Sequence, residues 1–348
     1  MSEWLDAPDG NLEDLRALAW LPGEFAAAGM EDISRAQQNG TKWMDINVPI
    51  LSGYFAPVRA GQLVTIIGQA SMGKSLLLHY LEAQMAEQLG KEGRNKEAIF
   101  HVSVEEPIED MAMLALARRS GESVSLLARG QISNAGKLQM AANEISGTPI
   151  IYVAESISSR RNTSGMIDAL NLTNVFNAIR DICAQTSYLP AAICIDYLQA
   201  LPIDPRLAKM AEPVDQRRLQ VRADVYFCRR AGLFFACPMF LAVQAKQSLG
   251  GYYRKDGGPI IQMPGMYDGE ESSSIAQRSD RILSTCIPAR LYPVGTTAQL
   301  GGLSGEVLVI DDPQMLVKVV KQRGMLPAGK SYLFNVDFDT GILVPSSL

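Results

Sequence analysis

Short apolar runs and helix-like apolar spacing alternate along the first two thirds of the chain. The run "GQLVTII" at 61–67 has the β-branched composition of a buried strand. After a glycine-containing loop, "LLLHYLEAQMAEQLG" at 76–90 repeats apolar side chains every four residues, at Leu77, Leu81 and Met85. This segment predicts a helix that ends near Gly90.

Two more apolar runs predict further buried strands, and polar residues follow each of them. They are "AIFHVSVEEP" at 98–107 and "AAICIDYLQAL" at 191–201. Pro107 suits the first position of the helix "PIEDMAMLALARR". Strands that alternate with helices predict an α/β fold with a mostly parallel sheet.

The pattern changes from Leu303 onward to closely spaced strand-like segments. They are "GEVLVI", "MLVKVVKQRG" and "KSYLFNVDFDTGILV". Antiparallel strands can be joined by short turns, whereas parallel strands need long crossover connections. We therefore expect a C-terminal antiparallel edge on the parallel sheet.

The first 40 residues differ from the rest of the chain in composition. Residues 1–40 contain eight Asp or Glu against two arginines. Within them, "NLEDLRALAWL" at 11–21 predicts a short amphipathic helix, with Leu12, Leu15, Ala19 and Trp20 near one face. We therefore divide the chain into an N-terminal extension, 1–40, and one large α/β domain, 41–348.

Composition limits the compartment and the classes of partner. No apolar run reaches the roughly 18 residues that cross a bilayer, and "MSEWLDAPDGNLEDL" lacks the basic start and apolar core of a secretory signal. The five cysteines form no CxxC pair, so we expect free thiols in a reducing, cytoplasmic compartment. The net charge of −5 gives no overall sign of nucleic-acid binding. The two histidines, at 79 and 101, do not predict a histidine-rich metal site.

The segment "GQASMGKS" carries the clearest chemical motif. It fits the pattern G-x-x-x-x-G-K-[ST], and it stands between a predicted strand and a predicted helix. Glycines let backbone N–H groups approach phosphate oxygens, and the helix N-terminus adds positive charge. We expect Lys74 to reach the β- and γ-phosphates of ATP and the Ser75 hydroxyl to bind Mg²⁺. The predicted nucleotide-binding residues are Gly68, Gln69, Ala70, Ser71, Met72, Gly73, Lys74 and Ser75.

Carboxylates at the ends of other predicted strands are candidates for the metal and for the attacking water. Asp196 ends the apolar part of the run at 191–201 and would hold Mg²⁺ through water. Glu105 and Glu106 follow the run that starts at Ala98, and hydrolysis needs a group that orients or deprotonates water. Acids beside a helix start also serve as simple dipole partners, so the residues alone leave the choice between the two glutamates open.

Six motifs, in order, resemble those of the DnaB-type replicative helicases. "SVEEP" at 103–107 is similar to the family's S-L-E-M-P, "ASMGKS" to its P-loop, and "IDYLQ" to its aspartate-bearing strand. "VQAKQ" at 243–247 resembles its γ-phosphate-sensing strand end, and "DGEESSSIAQRSD" at 268–280 resembles its D-L-R-E-S-G-S-I-E-Q-D-A-D. "KQRG" at 321–324 resembles its arginine-finger segment, K-Q-R-N-G. The resemblance implies a RecA-like P-loop ATPase core.

The resemblance also assigns roles at the matching positions. It implies that Glu105 is the catalytic glutamate and that Gln244 senses the γ-phosphate. It implies that Lys321 and Arg323 reach into the ATP site of a neighbouring subunit, which requires an oligomer. In this family the oligomer is a six-membered ring with ATP at each junction, and family-like translocation would run 5'-3'.

The chain departs from the family pattern at two points. Glu270 replaces an arginine near the family's DNA-facing channel. Residues 1–40 cannot hold the separate helical domain that recruits primase in many members, so primase recruitment through it is not expected. The helix predicted at 11–21 is instead expected to dock on the adjacent subunit, as the family's linker helix does, or to bind a loader or other partner protein.

Two segments are candidates for binding single-stranded DNA through phosphate charge and base stacking. The segment 206–230 carries seven basic against three acidic side chains in an acidic protein. "QSLGGYYRKDGG" at 247–258 places two tyrosines beside two basic residues on a glycine-rich loop. A solvated helix face and a flexible surface loop are the alternatives. The candidate contacts are Arg206, Lys209, Arg217, Arg218, Tyr252, Tyr253, Arg254 and Lys255.

These features together predict an oligomeric ATPase that uses ATP and Mg²⁺. The favoured function is a DnaB-type hexameric DNA helicase or single-stranded DNA translocase. The alternative is an ATP-switched ring that assembles or gates a partner, such as a loader or a defence-system component, without unwinding DNA. A recombinase-like filament of the same core is a third reading. The basic segment 206–230 favours the first function, and Glu270 with the acidic total charge favours the second.

Overall fold

The computed structural model describes most of the chain. The described residues are 22–39, 58–155, 171–202, 213–246, 251–253, 258–269, 273–301, 307–311, 313–323, 329 and 331–346. The chain forms two compact units, Met1–Trp43 and Met44–Leu348. The predicted helix at 11–21 lies outside the described residues. The first unit is described at a helix that the sequence did not predict, α1 (Pro22–Asn39).

Helices and strands alternate through the second unit. The helices are α2 (Lys74–Lys91), α3 (Ile108–Ser120), α4 (Val124–Ala128), α5 (Ala135–Ser146), α6 (Leu172–Thr186), α7 (Pro213–Phe234) and α8 (Ser274–Arg278), with short 3₁₀ turns at Leu198–Ala200 and Pro288–Arg290. The strands are β1 (Leu63–Gly68), β2 (Glu97–Ser103), β3 (Ile150–Val153), β4 (Leu189–Asp196), β5 (Met239–Gln244), β6 (Gly251–Tyr253), β7 (Pro259–Ile261), β8 (Arg281–Cys286), β9 (Thr297–Leu300), β10 (Val307–Val309), β11 (Gln314–Gln322), β12 (Ser331–Asp337) and β13 (Ile342–Ser346).

Nine strands form one central sheet in the order β13-β12-β11-β8-β1-β5-β4-β2-β3. The strands from β8 to β3 in that order are parallel. The strands β11, β12 and β13 pair antiparallel at the other edge. This arrangement confirms the predicted fold class, a mostly parallel α/β sheet of RecA-like type with a C-terminal antiparallel edge.

The central strands are buried on both faces because helices cover each side. On one face, Leu77, Leu81 and Met85 of α2 pack against alternate residues of the sheet, such as Val64 and Ile66. On the other face, side chains from α6 and α7 form a second core cluster with the sheet. The predicted apolar face of α2 is therefore confirmed, but the helix continues through Gly90 and ends at Lys91.

One predicted edge strand was placed wrongly. The segment "GEVLVI" was expected at the edge of the main sheet, but β10 pairs antiparallel with β9 in a separate four-stranded sheet, β10-β9-β7-β6. The physical reason is local: Val307 and Val309 point to solvent and only Leu308 is buried, so β10 has one apolar side chain facing inward. The segment follows β9 closely and completes a hairpin with it.

Two further sequence expectations can be compared with the structure. All five cysteines are free, as predicted, and four of them are buried. No helix in the described part of the chain is both long and apolar enough to cross a membrane.

Candidate nucleotide site

The P-loop joins the carboxyl end of β1 to the N-terminus of α2. Gly73 takes the left-handed conformation, with φ 86°, immediately before the first helical residue. A side chain at Gly73 would collide with Met315, and one at Gly68 would collide with the hydroxyl of Thr285. Both positions therefore favour glycine, and the loop leads directly into the helix N-terminus, where N–H groups can meet phosphate oxygens.

Lys74 is the first residue of α2, and its ammonium turns back over the loop. The Nζ atom donates a hydrogen bond to the Gln69 carbonyl at 2.9 Å and lies 5.8 Å from the centre of the Tyr197 ring. Burial lowers the pKa of Lys74, whereas the negative charges of Asp196 and Glu105 act to raise it. The structure therefore brings Lys74, Asp196 and Glu105 into one electrostatic environment.

The acids lie together because parallel strands end at one edge of the sheet. Ser103 at the end of β2 pairs with Asp196 at the end of β4, and the Val104 N–H donates to the Asp196 carbonyl at 2.9 Å. Beyond Ser103 the chain turns sharply. The Ser103 hydroxyl accepts from the Glu106 N–H at 3.0 Å and also contacts the Glu106 carbonyl at 2.9 Å, which holds the turn that carries Glu105 and Glu106.

The two glutamates of this turn differ in environment. Burial raises the pKa of Glu106, and the charges of Asp196 and Glu105 add to this effect. Both side chains are exposed, so the burial that acts on Glu106 is only partial, and Glu105 acts on Lys74 through its charge. A raised carboxyl pKa is a property of general bases, so the environment points to Glu106, whereas the family motif points to Glu105.

A second strand end, that of β5, also faces the P-loop. Gln244 pairs with Gly68, the first residue of the predicted phosphate-binding segment. The side-chain amide of Gln199 accepts from the Gln244 N–H at 3.0 Å and donates to the Gln244 carbonyl at 3.2 Å. Gln199 thus extends the pairing between β4 and β5 past the end of the strands and fixes the backbone of Gln244.

The residues present fit ATP and Mg²⁺. Oxygen donors are the ligands that Mg²⁺ prefers, and the Ser75 hydroxyl and the Asp196 carboxylate supply them beside the loop. The ammonium of Lys74 is hydrogen-bonded only to a loop carbonyl among its described contacts, so it can turn to a phosphate without breaking an ion pair. The residues of the predicted loop, Gly68 to Ser75, lie between β1 and α2, and Asp196 lies at the end of β4; their roles remain predictions.

Lys321 and Arg323 lie at the amino ends of the parallel strands, whereas the P-loop lies at their carboxyl ends. Lys321 pairs with Ile282 of β8, and Arg281 pairs with Val64 near the amino end of β1. The two ends of β1 are roughly 16 Å apart, at about 3.3 Å per residue. The structure therefore does not bring Arg323 to the P-loop of its own chain.

A buried aspartate, which the sequence analysis did not single out, holds Arg323 there. Asp280 accepts from the Leu63 N–H at 2.9 Å and forms an ion pair with Arg323 at 3.2 Å. It also pairs with Arg229 at 3.2 Å, so α7, β1 and β11 meet at this carboxylate. Lys321 donates to the Ser279 carbonyl at 2.8 Å. Arg323 remains 47% exposed and faces solvent at the amino edge.

Another missed contact lies on the P-loop itself. Arg290 donates a hydrogen bond to the Ser71 carbonyl, and its guanidinium lies 5.6 Å from the centre of the Phe338 ring. No local motif marks Arg290, because the contact joins segments far apart in the sequence. It ties the β8–β9 connection to the loop.

The predicted nucleic-acid residues fall into two groups. The structure describes two of the basic ones: Arg217, which donates to the Leu201 carbonyl at 2.6 Å, and Arg218, which is exposed. Tyr252 and Tyr253 lie in β6 of the small sheet, and their side chains are outside the description. The remaining residues lie outside the described part of the chain, and they are Arg206, Lys209, Arg254 and Lys255.

In the described part of the basic segment, 213–230, the arginines are spread along the length of α7. Within α7, Arg217 and Arg229 are separated by roughly 18 Å, at about 1.5 Å of rise per residue. Arg229 is committed to Asp280 at the amino edge of the sheet. Among the described basic residues of the segment, Arg217 and Arg218 lie nearest the carboxyl end of β4, because Arg217 bonds to the Leu201 carbonyl.

The sheet order and the loop between β1 and α2 define the fold, which is a RecA-like α/β fold. No protein-family model matches the sequence, and no curated protein matches it significantly. Solved structures do match. The chain is similar to "ATPase Domain of G40P", with a TM-score of 0.67 and 17% identity over 94% of this chain and 100% of that chain. It is also similar to "The Structure Of A DnaB-Like Replicative Helicase And Its Interactions With Primase", with a TM-score of 0.64 and 18% identity over 96% of this chain and 70% of that chain.

These likenesses confirm, at the level of the fold, the resemblance that the sequence motifs predict. Identities as low as these show a shared architecture and do not carry an activity from one protein to another. The particular function of this chain must therefore be argued from its own residues.

Proposed function

We propose that this protein is an ATP-dependent helicase or single-stranded DNA translocase that works as a six-membered ring. The observation that carries the proposal is the separation of two sets of residues on one sheet. Lys74, Glu105 and Asp196 share the carboxyl edge, whereas Arg323 lies exposed at the amino edge. A chain with half of a hydrolytic site at each of two edges is suited to assemble head to tail, with each site completed by a neighbour.

The roles follow from charge. Lys74 and the loop amides would hold the phosphates, and Ser75 and Asp196 would hold Mg²⁺, which neutralises charge on the phosphates. Glu105 would orient the attacking water, and Gln244 would contact the γ-phosphate. Arg323 of one subunit would neutralise charge that develops at the neighbour's γ-phosphate, a contribution of roughly 10³ or more in rate. Lys321 would support it from the same strand.

We expect Arg323→Ala to act on the neighbour's site. Arg323→Ala and Glu105→Gln homomers should each hydrolyse ATP slowly. Mixing the two should restore part of the activity, because some junctions then combine an intact Glu105 face with an intact Arg323 face. The measurement is ATPase rate against mixing ratio, with subunit exchange followed by labelled subunits. Arg180→Ala, at another exposed arginine, is the matched control and should keep the wild-type rate.

A flat, inactive profile despite proven exchange would mean either that Arg323 serves its own subunit's site or that hydrolysis needs several intact junctions at once. A double mutant separates these two interpretations. When the Arg323→Ala, Glu105→Gln double mutant is mixed with the wild type, each double-mutant subunit should damage two junctions. Activity should then fall faster than the wild-type fraction. Activity in proportion to that fraction would show that Arg323 serves its own subunit, which contradicts the proposal.

We expect Arg218→Ala to weaken single-stranded DNA binding. An arginine that contacts one phosphate contributes roughly 0.7 to the slope of log affinity against log salt on single strands, so the variant should lose about that much. The measurement is fluorescence anisotropy with an oligonucleotide at several salt concentrations. Arg129→Ala, at an exposed arginine outside the segment 206–230, should keep the wild-type slope. An unchanged slope in Arg218→Ala would remove Arg218 from the interface.

The second candidate is an ATP-switched ring that gates or loads a partner without moving DNA. The net charge of −5 favours this second function, because a negatively charged protein repels the phosphates of DNA unless basic groups are concentrated where the strand lies. The two functions differ in one property. A translocase hydrolyses ATP faster when single-stranded DNA is added, whereas a partner-gating ring does not respond to DNA.

A further inference from the structure

Both histidines of the chain meet one buried carboxylate. His101 of β2 lies 2.6 Å from Glu82 Oε1, and His79 lies 3.0 Å from Glu82 Oε2, each through Nδ1. The two imidazole rings stack, with centroids 4.7 Å apart and planes at 20°. The side chains of Glu82 and His101 are each 1% exposed, and that of His79 is 10% exposed. We call these three residues the buried histidine–glutamate cluster.

The cluster holds a charge pair in the core. Burial acts to raise the pKa of Glu82, but the charge of His101 and the hydrogen bonds from both histidines outweigh it and hold the pKa well below its usual range. Burial acts to lower the pKa of His101, but the charge of Glu82 and its hydrogen bond outweigh it and raise the pKa. Burial lowers the pKa of His79. These directions favour the charged forms of Glu82 and His101 and the neutral form of His79.

The cluster lies two residues before the carboxyl end of β2, on the side of the sheet that carries Ser103 and Asp196. His101 pairs with Cys194, and two residues further on Ser103 pairs with Asp196. Alternate residues of a strand share a face, so these two rows lie on the same face of the sheet. Glu82 reaches that face from α2, roughly 12 Å along the helix from Lys74 at about 1.5 Å per residue.

The P-loop and the turn that carries Glu105 are not on neighbouring strands. In the sheet, β5 and β4 stand between β1, which leads to the P-loop, and β2, which leads to Glu105. The ends of β1 and β2 are therefore roughly 14 Å apart, at about 4.8 Å per strand. Helix α2 crosses from one to the other, and the bond between Glu82 and His101 ties it to β2.

A metal site is the competing interpretation. The three ligand atoms lie within 4.8 Å of one another. However, both Glu82 oxygens and both Nδ1 atoms already make hydrogen bonds, and structural zinc sites almost always have four ligands. Among the described residues the cluster offers three. A hydrogen-bonded ion pair accounts for the geometry more directly.

We propose that the buried histidine–glutamate cluster is a positioning device that holds the Glu105 end of β2 in register with the P-loop helix. The proposal rests on the proposed ATPase function. Its effect falls on the hydrolysis step and not on nucleotide binding, because Glu82 lies two turns of α2, roughly 12 Å, beyond Lys74. A displacement of about 1 Å at a reacting group can lower a rate roughly 10²-fold.

The test separates positioning from simple packing. Replacing a buried ion pair by apolar residues of similar volume is often neutral or stabilising. The triple variant His79→Leu, Glu82→Met, His101→Leu should therefore keep the wild-type melting temperature. Its affinity for a fluorescent ATP analogue should stay within about twofold of the wild-type value. Its single-turnover hydrolysis rate should fall at least about tenfold. Glu82→Gln leaves His101 without its carboxylate, so its melting temperature should fall. The folded variant should still bind the ATP analogue and lose part of its hydrolysis rate. Glu87→Gln, at an exposed ion pair on the same helix, is the matched control and should match the wild type.

Each other outcome overturns the proposal. Wild-type hydrolysis in the apolar variant, or in folded Glu82→Gln if the apolar variant does not fold, would show that the cluster only fills the core. Equal loss of binding and hydrolysis would place its effect at the P-loop. One bound zinc per chain by elemental analysis, lost in Glu82→Gln, would make it a metal site. A wild-type protein that binds but does not hydrolyse ATP would contradict the proposed function itself, and this inference with it.

Discussion

Lys74→Ala is expected to abolish ATP binding or hydrolysis. In the structure the ammonium of Lys74 lies over the loop, hydrogen-bonded to the Gln69 carbonyl, beside the carboxylates of Asp196 and Glu105. When Lys74 is lost, the β- and γ-phosphates lose their nearest fixed positive charge, and two negative carboxylates remain in the site. Repulsion then replaces attraction where the phosphates would lie.

The measurement is steady-state ATPase activity, with nucleotide affinity determined separately. Lys91→Ala is a suitable control, because Lys91 ends the same helix at an exposed ion pair with Glu87. The control should retain the wild-type rate and affinity. Unchanged hydrolysis in Lys74→Ala would contradict the assignment of Gly68 to Ser75 as the phosphate-binding loop.

Glu105→Gln is expected to keep ATP binding and to slow hydrolysis by on the order of 10² or more, which is the usual scale for the loss of a positioned base. The amide keeps the size of the side chain but cannot accept a proton from water. Glu106→Gln serves as the matched variant, since it makes the same change at the adjacent position of the same turn. We expect it to have much the smaller effect.

This pair of variants decides between two arguments that disagree. The family motif S-L-E-M-P selects Glu105, whereas burial and the charge of Asp196 raise the pKa of Glu106. Single-turnover rates of both variants at saturating ATP are the direct comparison. A large effect of Glu106→Gln with a small effect of Glu105→Gln would move the catalytic role by one residue and would show that the environment is the better guide.

The spacing of apolar residues along the chain predicts the strands and the helix around the P-loop correctly. The β-branched run before the P-loop and the four-residue spacing after it correspond to β1 and α2. The apolar runs that end near Glu105 and Asp196 correspond to β2 and β4, and parallel strands place their ends together. The placement of the P-loop and the acids at one edge of the sheet therefore follows from the parallel direction of the strands.

What the sequence did not predict depends on contacts between distant segments. β10 has a single inward side chain, and its partner was decided by the hairpin with β9. Asp280 was read as the last residue of a motif, and its bonds to Leu63, Arg229 and Arg323 come from three separate elements. The two histidines are 22 residues apart in sequence, yet α2 lies over β2 and brings both of them to one carboxylate. The periodicity of apolar residues predicts single helices and strands, and it does not predict contacts between side chains of distant segments.

The central claim is that ATP sites shared between neighbouring subunits close a ring around one DNA strand. The most direct measurement is particle imaging by electron cryo-microscopy with a slowly hydrolysed ATP analogue, with and without a single-stranded oligonucleotide. The account predicts six-membered rings in which Arg323 of one subunit faces Lys74 and the γ-phosphate of the next, with the oligonucleotide in the central pore. Open filaments, or closed rings whose pore stays empty when the oligonucleotide is present, would contradict it.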